Sequence, residues 1–123
     1  MKYVILIYGN PDSRAIWEGM SSEQRAAGLD YYGRLVEELA DSGELVVSEA
    51  LADPSQTTRI STGGGRMTTA DGPFPEAKEL LAGFFLVECA RHERALEIAA
   101  RIPEAAFGLV EVRPVMSLAD FEM

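Results

Sequence analysis

Tyr3-Val4-Ile5-Leu6-Ile7-Tyr8 (YVILIY) is an unbroken run of β-branched, aliphatic and aromatic residues, stopped by Gly9-Asn10-Pro11. Such a run reads as a strand followed by a loop. It does not alternate with polar residues. Tyr3, Ile5 and Ile7 fall on one face and Val4, Leu6 and Tyr8 on the other. Both faces of this strand therefore need cover, which restricts the folds that can hold it.

Working outward, Ser21-Ser22-Glu23-Gln24 carries a capping box with Ser21 as N-cap and Gln24 three positions on. Leu29, Tyr32, Leu35 or Val36, and Leu39 then recur at helical spacing, and Gly43 sits where a C′ residue belongs. That predicts a first helix of about five turns ending near Ser42. Glu44 to Leu51 is a second strand. Thr57 to Ser61 and Arg66 to Thr69 read as a polar, exposed hairpin around Thr62-Gly63-Gly64-Gly65. No Lys-Ser/Thr follows these glycines and no apolar helix opens behind them, so the phosphate-cradle pattern fails. Gly83 to Cys89 is a third major strand. Leu96, Ile98, Ala99 and Ile102 give a second helix that stops before Pro103. Phe107 to Val115 is a fourth strand, with a tail over residues 116–123.

The order β-α-β-(hairpin)-β-α-β is the ferredoxin-like split arrangement, an α+β fold whose antiparallel sheet carries its helices on one face. At 123 residues it is one domain, 1–123, with a core over about 1–115. A chain of this length buries roughly two-thirds of its unfolded surface and needs no bridge or metal for stability. One cysteine excludes an intrachain disulfide and suits a reducing compartment. The opening apolar run is too short for a signal segment or a membrane span. The expectation is a soluble, cytoplasmic protein. Net charge is −9, from 11 basic and 20 acidic residues, and the basic residues stand singly. Nucleic-acid binding, which needs concentrated positive charge, is not expected.

The other strands repeat the two-faced pattern. Phe85, Val87 and Cys89 fill one face of the third strand, while Phe84 and Leu86 share the opposite face with Glu88. In the fourth, Val110 and Val112 point one way, and Phe107 and Leu109 share a face with Glu111 and Arg113. An apolar face of that size carrying a few charges predicts a second subunit or a ligand. Pairing of Arg113 with Glu111 or Glu88 is the natural way to hold those charges there. Asp71-Gly72-Pro73-Phe74 reads as a rigid corner. Gly72 before a proline is expected to be extended, and the Asp71 carboxylate is expected to cap the turn. Pro75 is placed to open a short helical turn reaching Leu81.

Asp71-Gly72-Pro73-Phe74 followed by Glu76, Lys78, Glu79 and Gly83-Phe84-Phe85 resembles the DGPF-type branch of the YCII-related domain proteins. Leu6-Ile7-Tyr8-Gly9-Asn10, Glu49-Ala50-Leu51 and Val110 to Pro114 agree with it. The resemblance implies a dimeric α+β barrel, two ferredoxin-like units back to back across their open faces. Other YCII-like proteins carry a His on the first helix and an Asp before a Pro after the second, proposed as a catalytic pair. Tyr32 and Ile102, the latter before Pro103, stand in those places, so that chemistry does not transfer. Genes of the branch often lie beside extracytoplasmic-function sigma factors, which implies an accessory or regulatory role.

His92, the one histidine, sits among Arg91, Glu93 and Arg94 and reads as solvated. One His and one Cys build no metal site of usual ligand count in a single subunit, and no cofactor is implied. Cys89 reads as a small core residue and Trp17 as a loop residue covering the core. Tyr8, Tyr32, Asp71, Lys78, Glu88, Glu111 and Arg113 remain as ligand-binding candidates, each weighed against a surface ion pair of little worth. Three functions follow: a homodimer binding a small molecule or acting as an accessory protein, a cofactor-free enzyme acting on a small carbonyl or aromatic compound, or an interaction module linked to a sigma factor.

Overall fold

The computed structural model describes residues 1–122; Met123, the end of the expected tail, lies outside them. Strand β1 (Lys2–Gly9) is followed by helices α1 (Pro11–Glu18) and α2 (Ser22–Asp41), and then by β2 (Leu45–Ala50). A hairpin of β3 (Thr58–Ser61) and β4 (Thr68–Asp71) precedes β5 (Leu80–Glu88), α3 (His92–Ala100) and β6 (Val110–Pro114). The major sheet is antiparallel throughout, in the order β2-β5-β1-β6. The hairpin forms a separate two-stranded sheet. This is the ferredoxin-like split βαβ arrangement with an inserted hairpin, as the sequence predicts.

The core lies between the sheet and helices α2 and α3. Tyr3, Ile5 and Ile7 of β1 meet Phe85, Val87 and Cys89 of the β5 segment, Leu35 and Leu39 of α2, and Ala95, Ile98 and Ala99 of α3. Register places these sets together, with Tyr3 opposite Val87 and Ile5 opposite Phe85. Helix α2 begins at the expected cap: the Ser21 hydroxyl accepts from the Gln24 amide and the Gln24 side chain accepts from the Ser21 amide. Gly83 marks a close approach of backbones, since a Cβ there would stand 2.7 Å from the Glu49 carbonyl oxygen of β2. Only glycine fits.

Several expectations are corrected. Residues 11–18 form a helix, not a loop, because Asn10 and Ser13 make a capping box and Pro11 suits its first position. Trp17 therefore lies on α1, 42% exposed, with Arg25 of α2 over its ring at 5.6 Å, and does not cover the core. No helical turn spans Pro75–Leu81; strand β5 begins at Leu80, where it pairs with Gly9. Phe107 is not in a strand but ends a 3₁₀ turn, Pro103–Phe107, and is 53% exposed. Leu109 precedes β6 and is already buried within the protomer. Gly72 is not extended: its φ of 86° is left-handed, a conformation that glycine adopts without a Cβ clash.

Candidate functional site

Helices cover one sheet face only. On the other, register places Val47, Leu86, Val4 and Arg113 in one row across β2, β5, β1 and β6, and Glu49, Phe84, Leu6 and Glu111 in the next. Val4, Leu6, Phe84 and Leu86 are half-buried, and Val47 is exposed. The result is an apolar strip over the two central strands, with Glu49 at one margin and Glu111 and Arg113 at the other. No register shift interrupts the β1–β6 pairing, so Arg113 keeps the face its position in the strand assigns.

Tyr8 completes this margin. A register shift between Ile7 and Tyr8 relaxes its pairing with β5, while its amide donates to the Leu109 carbonyl at 2.9 Å. The neighbouring Glu111 carboxylate, an acceptor towards which the phenol proton is drawn, raises the Tyr8 phenol above its ordinary pKa. Burial and the Glu111 charge add to that, and the Arg113 charge opposes it. A phenol is protonated at neutral pH in any case, and this shift keeps the Tyr8 hydroxyl a donor group and not a base. Arg113 forms no ion pair among the described residues, so the expected pairing with Glu111 or Glu88 is absent within the protomer. Tyr8, Glu111 and Arg113 stand together, with one donor, one acceptor and one cation facing space that no helix fills.

The remaining candidates lie elsewhere. Tyr32 belongs to the helix layer on the opposite side, its ring 6.5 Å from that of Phe85 and its hydroxyl donating to Glu104. Burial first, and the Glu104 hydrogen bond second, push its pKa well above the usual range, so it remains a protonated strut. Sequence reasoning missed Glu104. Its place directly after Ile102-Pro103 was visible, but its partner is 72 positions away. Glu88 is exposed near the end of β5 opposite Lys2, at the other end of the strand from Tyr8.

Asp71 and Lys78 belong to the hairpin region and are exposed. The Asp71 carboxylate makes no hydrogen bond among the described residues, so it does not cap the corner. Backbone and arginine do that work: the Gly72 amide donates to Thr57 at 2.7 Å, and Arg59 Nε donates to the Gly72 carbonyl at 3.1 Å. His92 is exposed beside Tyr3, with 5.6 Å between ring centroids.

A ferredoxin-like fold with one covered and one open sheet face defines the class of this protein. The chain belongs to the YCII-related domain family, whose model matches residues 1–119. An uncharacterised protein of Rhizobium meliloti is 29% identical over 117 residues, covering 94% of this chain and 92% of that one. Among solved structures, the chain is similar in fold to 5-chloro-2-hydroxyhydroquinone dehydrochlorinase from Burkholderia phenoliruptrix in complex with 2,5-dihydroxybenzoquinone. The TM-score is 0.50 at 15% identity, over 98% of each chain. Among the described residues no helix is long and apolar enough to cross a membrane.

Proposed function

We propose that the protein is a cytoplasmic homodimer that binds a small, planar, oxygen-rich anion in the cleft formed where two open sheet faces meet. The meeting of Tyr8, Glu111 and Arg113 beside Leu6 and Phe84, on a face without helix cover, carries this reading. Small-molecule sites combine an apolar wall with a few fixed polar groups, and these residues supply both. A guanidinium fork suits a carboxylate or enolate, and a protonated phenol beside it supplies a second donor. The similarly folded dehydrochlorinase is held with 2,5-dihydroxybenzoquinone, an acidic planar molecule of that kind. The buried, unpaired Cys89 suits a reducing compartment.

Titration calorimetry with 2,5-dihydroxybenzoquinone tests the site. Arg113→Lys keeps the charge and removes the planar fork, so affinity should fall by about tenfold with the melting temperature unchanged. Unaltered affinity in that variant would remove Arg113 from the site. A stable monomer at micromolar concentration in sedimentation equilibrium would remove the cleft itself.

A further inference from the structure

A concavity lies away from the open sheet face. It is a groove of about 360 Å³ between the end of β2, the base of the hairpin and the corner leading to β5. Leu51, Pro54, Pro73, Leu80 and Leu81 give it an apolar lining, and Arg59, Phe74 and Glu79 supply its aromatic and charged groups. That volume lies within the range of small-molecule sites.

Arg59 is held in place before any ligand arrives. It stands on β3 opposite Ala70, half-buried. Its Nε donates to the Gly72 carbonyl, and its guanidinium lies 5.5 Å from the centre of the Phe74 ring. Two contacts, a hydrogen bond and a cation–π contact, hold the guanidinium in place. Its two terminal nitrogens have no partner among the described residues, and Glu79, though in the same lining, forms no ion pair with it. Phe74 remains 66% exposed, an unusual setting for a large aromatic at a rigid turn. A preorganised, half-buried cation beside an open ring and flat proline surfaces has the chemistry of an anion receptor with an apolar wall.

We propose that this groove is a second ligand site, specific for a small aryl monocarboxylate. The carboxylate meets the terminal nitrogens of Arg59 and the ring lies against Phe74 and Pro73. Glu79 disfavours a second negative charge and accepts from a hydroxyl on the ligand, which selects monoanions over dicarboxylates. A ligand there would bridge Arg59 at the base of the hairpin to Leu80 and Leu81 at the start of β5. A two-stranded hairpin is marginal alone, so occupancy should also order it.

Benzoate titrated into the full chain, followed by amide NMR, tests this directly. Saturable shifts are expected at Gly72, Phe74 and Leu80, with neutral benzamide weaker by about tenfold or more, the worth of one charge-assisted contact. Arg59→Gln should abolish the preference for benzoate over benzamide, and Phe74→Leu, which leaves the Arg59–Gly72 hydrogen bond in place, should weaken both probes. Arg113→Gln should leave these shifts unchanged, which separates this groove from the open-face site. Equal binding of the two probes, shifts confined to Tyr8, Glu111 and Arg113, or amide shifts at Gly72 and Phe74 that follow dilution instead of benzoate would each overturn the proposal.

Discussion

The two faces of β1 are equally apolar and differ in fate. Tyr3, Ile5 and Ile7 are 3%, 0% and 5% exposed, whereas Val4, Leu6 and Tyr8, one step along the chain, are only half-buried. Hydrophobicity does not explain the difference, since Val4 and Leu6 match Ile5 and Ile7. Cover does. Leu35, Leu39 and Ile98 of α2 and α3 close one face, and among the described residues no helix closes the other. A strand with period-two side chains can serve two separate layers at once. Here one layer is an intramolecular core, and the other is left half-open.

The largest effect should come from the covered face. Ile5→Ala removes a fully enclosed side chain from the centre of the core and should destabilise by about 2–5 kcal/mol in urea unfolding. Leu6→Ala, its neighbour on the open face, should change the stability of dilute protein by much less, with a melting temperature that depends on protein concentration. Equal losses for the two variants at low concentration would break the distinction between the faces.

Next comes Phe84→Asp, which leaves the core side of β5 intact and places a charge in the middle of the apolar strip. A specific interface buries at least about 1,200 Å² in total, and a buried unpaired carboxylate at its centre should dissociate it. Sedimentation equilibrium should show dimers for the unaltered chain and monomers for this variant, with the same far-ultraviolet circular dichroism. Dimers that survive the substitution would move the interface elsewhere.

Much of the fold was legible because its signals are local. The Ser21–Gln24 capping box, the helical spacing from Leu29 to Leu39 and the apolar strands are patterns a few residues long, and the order of elements then allows few topologies. Helix α1 escaped notice because its pattern is weak: it buries no residue and rests on the Asn10 cap and on Arg25 contacts from α2. The helical turn expected from Pro75 to Leu81 goes no further than one bond, from the Ala77 amide to the Phe74 carbonyl at 3.1 Å, before strand pairing takes over at Leu80. The site was legible only in part. Strand parity was enough to bring Glu111 and Arg113 onto one face. The Tyr32–Glu104 hydrogen bond and the role of Arg59 depend on approaches across long stretches of chain that no spacing rule encodes.

A smaller effect tests how the covered face is fastened at its edge. Arg94 on α3 forms a paired contact with Glu44, at the start of the β2 segment, at 2.8 and 2.9 Å. The hydrogen bond from Arg94 holds the Glu44 carboxyl at about 2, well below its ordinary value of 4.5. A carboxyl depressed in the folded state stabilises above its unfolded pKa, and that contribution is lost as the pH falls from about 4.5 towards 2. Arg94→Ala should therefore cost about 1–3 kcal/mol at neutral pH, and the deficit should shrink as the solution is acidified through this window. A deficit independent of pH would mean that the arginine acts by packing alone.

The smallest effect belongs to Asp71, which lies on neither sheet face. Its position before a glycine–proline corner invites the reading of a capping carboxylate, and a lost cap typically costs about 0.5–2 kcal/mol. The corner is built differently. Gly72 takes the left-handed conformation, its amide donates to Thr57, and Arg59 holds its carbonyl, so each backbone group has a partner that does not depend on Asp71. The Asp71 side chain is exposed at the end of β4, where backbone pairing with Thr58 already fixes the strand. Asp71→Ala should thus stay within about 0.5 kcal/mol of the unaltered chain, as surface substitutions usually do. Arg59→Ala should cost more, because it leaves the Gly72 carbonyl without that donor and exposes Phe74 further. Thermal unfolding of the two variants in parallel decides between these accounts: a larger loss for Asp71→Ala than for Arg59→Ala would restore the carboxylate as the element that holds the turn.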